Sequence, residues 1–308
     1  MKRTNVTNNH LRTAIKDIQK HLDNTAEIPH DLFIDFMNEL KVSRLLIPAI
    51  IQGDTLNFEY LISDEENSIV IPLFSDDEEF VKCYGSDYDY GPVPCDFDYY
   101  LDLLNQPEYN GILINVESEE LLLESELLLN FPFSQGITFN DNFEGYDAEE
   151  LLKISKNISN DSLLEYIESG EDNFEALMLE LAKSTLLNLV VGDENFGRFA
   201  ENGIISSRDV GGFDLYTTNV DGEEFGILFT GVDAIKDAIA EDCDENYYQI
   251  TLIANFFEFV LKNDMGGVII NPGTDDYIIP RSYLLDGYDG IALNNPSFKR
   301  AIDYIFLL

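Results

Sequence analysis

Basic side chains are scarce in this chain. It has 18 Lys and Arg against 59 Asp and Glu, a net charge of −41 at pH 7. Gripping DNA or RNA takes clustered cations that neutralise phosphates, so direct nucleic-acid binding is not expected, and docking on anionic lipid is disfavoured for the same reason. Tryptophan is missing, and the cysteines are three: Cys83, Cys95 and Cys243. None forms a C-x-x-C pair and their number is odd. A secreted disulfide scaffold would be shorter and richer in Cys, so the expectation is reduced thiols and a cytoplasmic protein. The histidines, His10, His21 and His30, all fall within the first thirty residues, which leaves the rest of the chain without an imidazole to activate a Ser or Cys nucleophile. No apolar run approaches the roughly 20 residues that span a bilayer. The opening segment 1–20 is charged and lacks an apolar core, so it does not read as a signal peptide. Also missing are G-x-x-x-x-G-K-[ST], G-x-G-x-x-G before a helix, H-E-x-x-H and the G-x-S-x-G elbow, the patterns that cradle phosphates, hold zinc or expose a serine nucleophile.

What the chain does have is enough apolar material for two cores, 45% of 308 residues. Its acid excess is uneven. Residues 1–20 carry a net +4, so the remainder carries −45. Salt adaptation gives such acidity too, but the richness in Asn, Ile, Phe and Tyr and the preference for Lys over Arg fit a biased coding background better.

An internal repeat organises the chain. Shifted by 141 residues, 36–50 (FMNELKVSRLLIPAI) aligns with 177–191 (LMLELAKSTLLNLVV), with Met37/Met178, Glu39/Glu180, Leu40/Leu181, Ser43/Ser184, Leu45/Leu186 and Leu46/Leu187 identical. Helical apolar spacing followed by a short apolar run predicts a helix leading into a buried strand. A second block, 69–80 against 224–235, pairs Leu73-Phe74 with Leu228-Phe229. The Ser75 and Thr230 that follow are expected to cap helices whose first turns are acidic. A third block, 111–128 against 267–284, pairs Gly111/Gly267, Ile114/Ile270 and Asn115/Asn271 and reads as a strand closed by an Asn-initiated turn, an acidic pair and another apolar run. The expected organisation is an appended helical extension at 1–30, repeat 1 at 31–131, a connector with short helices at 132–171, repeat 2 at 172–290 and a C-terminal helix at 291–308.

These blocks resemble the SseB N-terminal domain family. The resemblance rests on a strand ending in Phe-Ser or Phe-Thr before an acidic helix (Leu73-Phe74-Ser75, Leu228-Phe229-Thr230) and on a late strand running into Asn-Pro-Gly (Ile269-Ile270-Asn271-Pro272-Gly273). Repeat 1 keeps Asn115 but has Val116 and Glu117 where Pro and Gly would stand. The resemblance implies an α+β fold, here a tandem of two SseB-like domains, each a small mixed sheet packed with helices, without an established enzymatic activity.

Candidate sites are few. The stretch 76–102 holds nine acids, one base and seven Phe or Tyr. Exposed aromatics among carboxylates suit a basic protein partner, since Tyr gives contact area and acids steer association. The partner-binding candidates are therefore Asp76, Asp77, Glu78, Glu79, Asp87, Tyr88, Asp89 and Tyr90, in the more acidic repeat. Asn271, Pro272 and Gly273 offer either a tight turn or backbone N–H groups for a ligand. The run 140–145 mimics half of a calcium loop but meets Leu151 where the bidentate Glu belongs, so the expectation is at most weak divalent binding, with no metal site and no cofactor. The functional expectation is a non-catalytic acidic binding or regulatory protein acting through protein contacts, with an immunity-like or nucleic-acid-mimicking inhibitor as its specific form. The alternative is a metabolite sensor or enzyme using a pocket between the two repeats.

Overall fold

The computed structural model describes residues 4, 6–22, 28–52, 55–62, 68–85, 89–131, 143, 146–192, 196–207, 210, 213–239, 246–287 and 304–308. Asp87, Tyr88, Cys243 and all of the calcium-loop mimic except Phe143 lie outside these residues. The fold is mixed α+β, and the chain divides into two compact units. Unit 1 comprises 1–133 with 262–264; unit 2 comprises 134–261 with 265–308.

Unit 1 runs α1 (Asn9–Leu22), α2 (His30–Val42), β1 (Arg44–Gln52), β2 (Thr55–Phe58), β3 (Leu61–Ile62), β4 (Ile69–Leu73), α3 (Asp77–Tyr84), β5 (Gly91–Asp96), α4 (Phe97–Leu104), β6 (Tyr109–Ile114), β7 (Leu121–Glu124) and α5 (Ser125–Asn130). One sheet has the order β2-β1-β5 and the other β3-β4-β6-β7. In the second, β4 and β6 are parallel and the outer pairs antiparallel. Leu46 of β1 exchanges both backbone hydrogen bonds with Phe74, at the end of β4, and this joins the two sheets. Leu11, Ile15 and Ile18 of α1 are buried in the same core as Phe36, Leu45, Ile71 and Ile112. The helix expected as an appendage is thus part of the unit, because its four-and-three apolar spacing gives it one face that must leave water.

Unit 2 opens with α6 (Ala148–Ser155) and then follows the order of unit 1 with two added strands, β9 and β16: α7 (Asp161–Ser169), α8 (Phe174–Lys183), β8 (Leu186–Val191), β9 (Ile204–Ser206), β10 (Asp214–Leu215), β11 (Thr217–Val220), β12 (Glu223–Leu228), α9 (Val232–Ala238), β13 (Tyr247–Thr251), α10 (Ile253–Lys262), β14 (Gly267–Ile270), β15 (Tyr277–Pro280), α11 (Arg281–Gly287) and β16 (Tyr304–Leu307). The second sheet, β11-β12-β14-β15, again has a parallel central pair. The first, β10-β8-β13-β16-β9, begins as in unit 1 and is then extended by two strands. One of them, β16, lies in the tail read as a helix. Ile305 and Phe306 are buried there while Tyr304 and Leu307 are less covered, because β13 on one side and β9 on the other offer free backbone edges that favour the extended form.

Equivalent contacts recur residue by residue. Leu187 bonds to Phe229 as Leu46 does to Phe74. A Cβ on Gly111 would lie 2.3 Å from the Leu123 carbonyl oxygen and one on Gly267 2.2 Å from that of Ile279, so only glycine lets these neighbouring strands approach. Before α1, the buried Asn8 Nδ2 donates to the carbonyls of Arg44 and Ser75; before α7, Asn160 Nδ2 donates to those of Thr185 and Thr230. Helix α7, expected in a connector, therefore stands in unit 2 where α1 stands in unit 1.

Candidate functional site

Ser75 and Thr230 do not cap the helices that follow them. Asp76 caps α3 by accepting from the Glu79 N–H, and the N-cap of α9 is Gly231 without a side-chain bond. Ser75 and Thr230 are instead clamped across the sheet. Asn115 Oδ1 accepts the Ser75 N–H and its Nδ2 donates to Ser75 Oγ; Asn271 does the same to Thr230. Both asparagines hold left-handed backbone, with φ of 51° and 50°. Asn adopts this conformation more readily than most residues, and here the turn it makes aims the amide back at the neighbouring strand.

The Asn271-Pro272-Gly273 turn is closed on itself. The N–H groups of Thr274, Asp275 and Asp276 donate to the Asn271 carbonyl, and the Gly273 N–H donates to Asp276 Oδ1 at 2.7 Å. Pro272 has no N–H. The turn therefore has a structural role and presents none of these donors to a ligand.

In unit 1 the acidic candidates separate into two groups. Glu79 is 2% exposed and lies at the centre of an ion-pair cluster rather than on a docking face. Arg12 Nη2 is 2.9 Å from Glu79 and 3.2 Å from Glu119, Arg12 Nη1 is 3.1 Å from Asp76, and Lys82 is 2.6 Å from Glu79. Lys16 adds a contact to Glu119 at 3.4 Å, and Ser118 donates to Glu79. Burial opposes the charge on Glu79, yet the hydrogen bonds from Lys82 and Ser118 and the charges of Arg12 and Lys82 outweigh it and hold the carboxyl below its ordinary range. Asp77 binds the Thr4 N–H and hydroxyl. Glu78 and Asp89 are exposed, as are Asp98 and Asp102, one turn apart on the outer side of α4, while Tyr90 is half-buried. Cys83 and Cys95 are half-buried, and burial, with nearby acidic groups adding to it, raises both thiols above their ordinary range. An activated cysteine nucleophile needs the opposite shift.

Unit 2 holds a cleft of about 760 Å³. Its wall includes Thr230 and Asn271 of the clamp and Ser155 hydrogen-bonded to Tyr248 at 3.1 Å. Leu164, Gly231, Ala234 and Asp275 also line it. That volume is within the usual range for small-molecule sites, roughly 300–1,000 Å³. Sequence reasoning missed this site because its defining residues are ordinary ones. The signal was an offset of 152 running through the presumed connector, which matches Asn8, Leu11 and Ile15 to Asn160, Leu163 and Ile167. Among the described residues, no group of three or more His, Cys, Asp or Glu is placed to hold a metal ion, and no helix is long and apolar enough to cross a membrane.

No protein-family model, curated protein or solved structure matches this chain.

Proposed function

We propose that the chain is a non-catalytic acidic binding protein of the cytosol, built from two copies of an SseB-like unit, whose unit 1 docks on a basic protein partner. The observation that carries this reading is the uneven treatment of carboxylates in unit 1. Those nearest the core are neutralised by Arg12, Lys16 and Lys82, whereas Asp98 and Asp102 stand exposed and a turn apart on α4. Like charges at that spacing cost an isolated helix a few tenths of a kcal/mol, and they create a field that attracts cations. An immunity-like or nucleic-acid-mimicking inhibitor is the form this chemistry suits. The tandem reading is supported by the shared strand order and by the paired Asn clamps.

The test is affinity capture on the immobilised protein at low and high salt, beside a variant carrying Asp98→Asn and Asp102→Asn. The expected outcome is a basic partner whose association slows with salt and with the double substitution, because exposed charges act chiefly on the on-rate. A neutral or acidic partner, indifferent to both, overturns the reading. A second reading, small-ligand binding, is favoured by the cleft of unit 2. That cleft lies within one unit, whereas the sequence suggested a pocket between two.

A further inference from the structure

The cleft of unit 2 and the ion-pair cluster of unit 1 are the same place in the fold. Two sets of backbone contacts and one of side-chain contacts fix the equivalence. The Arg12 N–H donates to the Asn8 carbonyl and the Leu164 N–H to that of Asn160, both at 2.9 Å. The Phe80 N–H donates to the Asp76 carbonyl and the Ile235 N–H to that of Gly231, with Phe80 and Ile235 both fully buried. Asn115 Nδ2 donates to Glu119 and Asn271 Nδ2 to Asp275, each four residues on. Leu164 therefore stands for Arg12, Gly231 for Asp76, Ala234 for Glu79 and Asp275 for Glu119. One turn further along α7, Glu168 stands for Lys16, and along α9 Asp237 stands for Lys82.

These replacements account for the cleft. Three long or charged side chains of unit 1 become Leu, Gly and Ala, which opens the volume. Both lysines become acids, and the carboxylate at the position of Glu119 is kept. In unit 1 that carboxylate meets a guanidinium 3.2 Å away. In unit 2, Asp275 has Asn271 as its side-chain hydrogen-bond partner and no cation among the described residues. Lys156 and Lys236 also line the cleft, against Glu168, Asp233, Asp237 and Asp275, so acid predominates.

We infer that the cleft of unit 2 binds the guanidinium group of an external ligand, with Asp275 taking the part that Glu119 plays toward Arg12. Unit 1 carries the mimic of this ligand in its own chain, which fills the site. The inference deepens the small-ligand reading of the cleft and rests on it. A free guanidino compound and an arginine side chain of a peptide share the recognising chemistry.

The experiment uses the full chain and titrates agmatine, an acetylated and amidated Gly-Arg-Gly peptide, and neutral butylurea, followed by calorimetry and by amide chemical shifts around Thr230 and Asn271. Agmatine or the peptide should bind saturably and butylurea should not, and the tighter of the two names the source. Asp275→Asn should weaken binding by about tenfold or more, the loss expected when a charge-assisted bond is removed. Leu164→Arg should abolish it by supplying a tethered competitor, while Leu164→Met retains it. Thermal melting of each variant separates lost binding from lost fold. Binding of butylurea as tight as that of agmatine, unmoved by Asp275→Asn, overturns the cationic class and leaves a small-ligand cleft. Saturable binding of none of the three probes overturns the inference. So does binding of agmatine or the peptide that Leu164→Arg leaves intact in a folded protein.

Discussion

Strands β5 and β13 hold the same position in their two units, yet each unit protects that edge differently. In β5, Pro94 is paired with Leu46 and Pro92 with Pro48. Leu46 spends its own N–H and C=O on Phe74, on the other side of β1. Its pair with Pro94 is therefore a non-hydrogen-bonded one, and Pro94, like Pro92 two residues away, turns its nitrogen to the open edge. A proline there carries no donor for another strand to use. In β13 the same two positions are Tyr248 and Ile250, and Tyr248 is paired with Phe306 of β16. One unit blocks its edge by chemistry and the other covers it with a strand. The ion-pair site differs in a parallel way: it is filled by the chain itself in unit 1 and open in unit 2. The scaffold is thus held by the clamps, bridges and glycines the units share, and the differences concentrate on what each presents outward.

The comparison breaks most visibly if the shared bridge is unequal. Phe74 packs edge-on against Phe80 and Tyr84, and Phe229 belongs to the core of unit 2; both are essentially inaccessible. Phe74→Ala and Phe229→Ala should each destabilise their own unit by about 3–5 kcal/mol, read from urea unfolding with hydrogen exchange assigning the loss to one unit. The clamps come next. Asn115→Ala and Asn271→Ala leave the buried Ser75 or Thr230 N–H without its partner and put Ala at positive φ, for about 2–4 kcal/mol each. Equal costs in the two units would show that the clamps are interchangeable, and a negligible cost in either would remove that one from the shared scaffold.

Acid should then separate the units. Because Glu79 titrates below its ordinary value, its stabilising contribution is complete above that value, near pH 4.5, and is lost as pH falls through the depressed one. Unit 2 has Ala234 at this position and loses nothing there. Hydrogen exchange between pH 5 and about 3 should show unit 1 loosening in excess of unit 2, and Glu79→Gln, costing about 2 kcal/mol at neutral pH, should remove the excess. The smallest effect is at the edge. Pro94→Ala should change stability by less than about 1 kcal/mol yet raise self-association in light scattering, since it restores an outward N–H to β5.

Much of this was legible in the sequence. The offsets of 141, 155 and 156 pick out the residues that the fold makes equivalent, because the bridge, the clamp and the close strand approach each demand one residue type: a large apolar Phe, an Asn able to turn left-handed, a Gly without Cβ. Net charge and the scarcity of cations are likewise properties of composition alone. Tertiary structure decided the rest. Periodicity identifies Ala301–Leu308 as an apolar segment but carries no information on whether free strand edges await it, so a helix was expected where Tyr304–Leu307 is extended. Glu79 reads as one acid among four in sequence. Only the tertiary fold brings Arg12 of α1 to it from 67 residues away and makes it interior. The cleft is the clearest case. Leu164, Gly231 and Ala234 are unremarkable in sequence, and their small or apolar side chains matter only because the chain folds them around a space that Arg12, Asp76 and Glu79 occupy in the other unit.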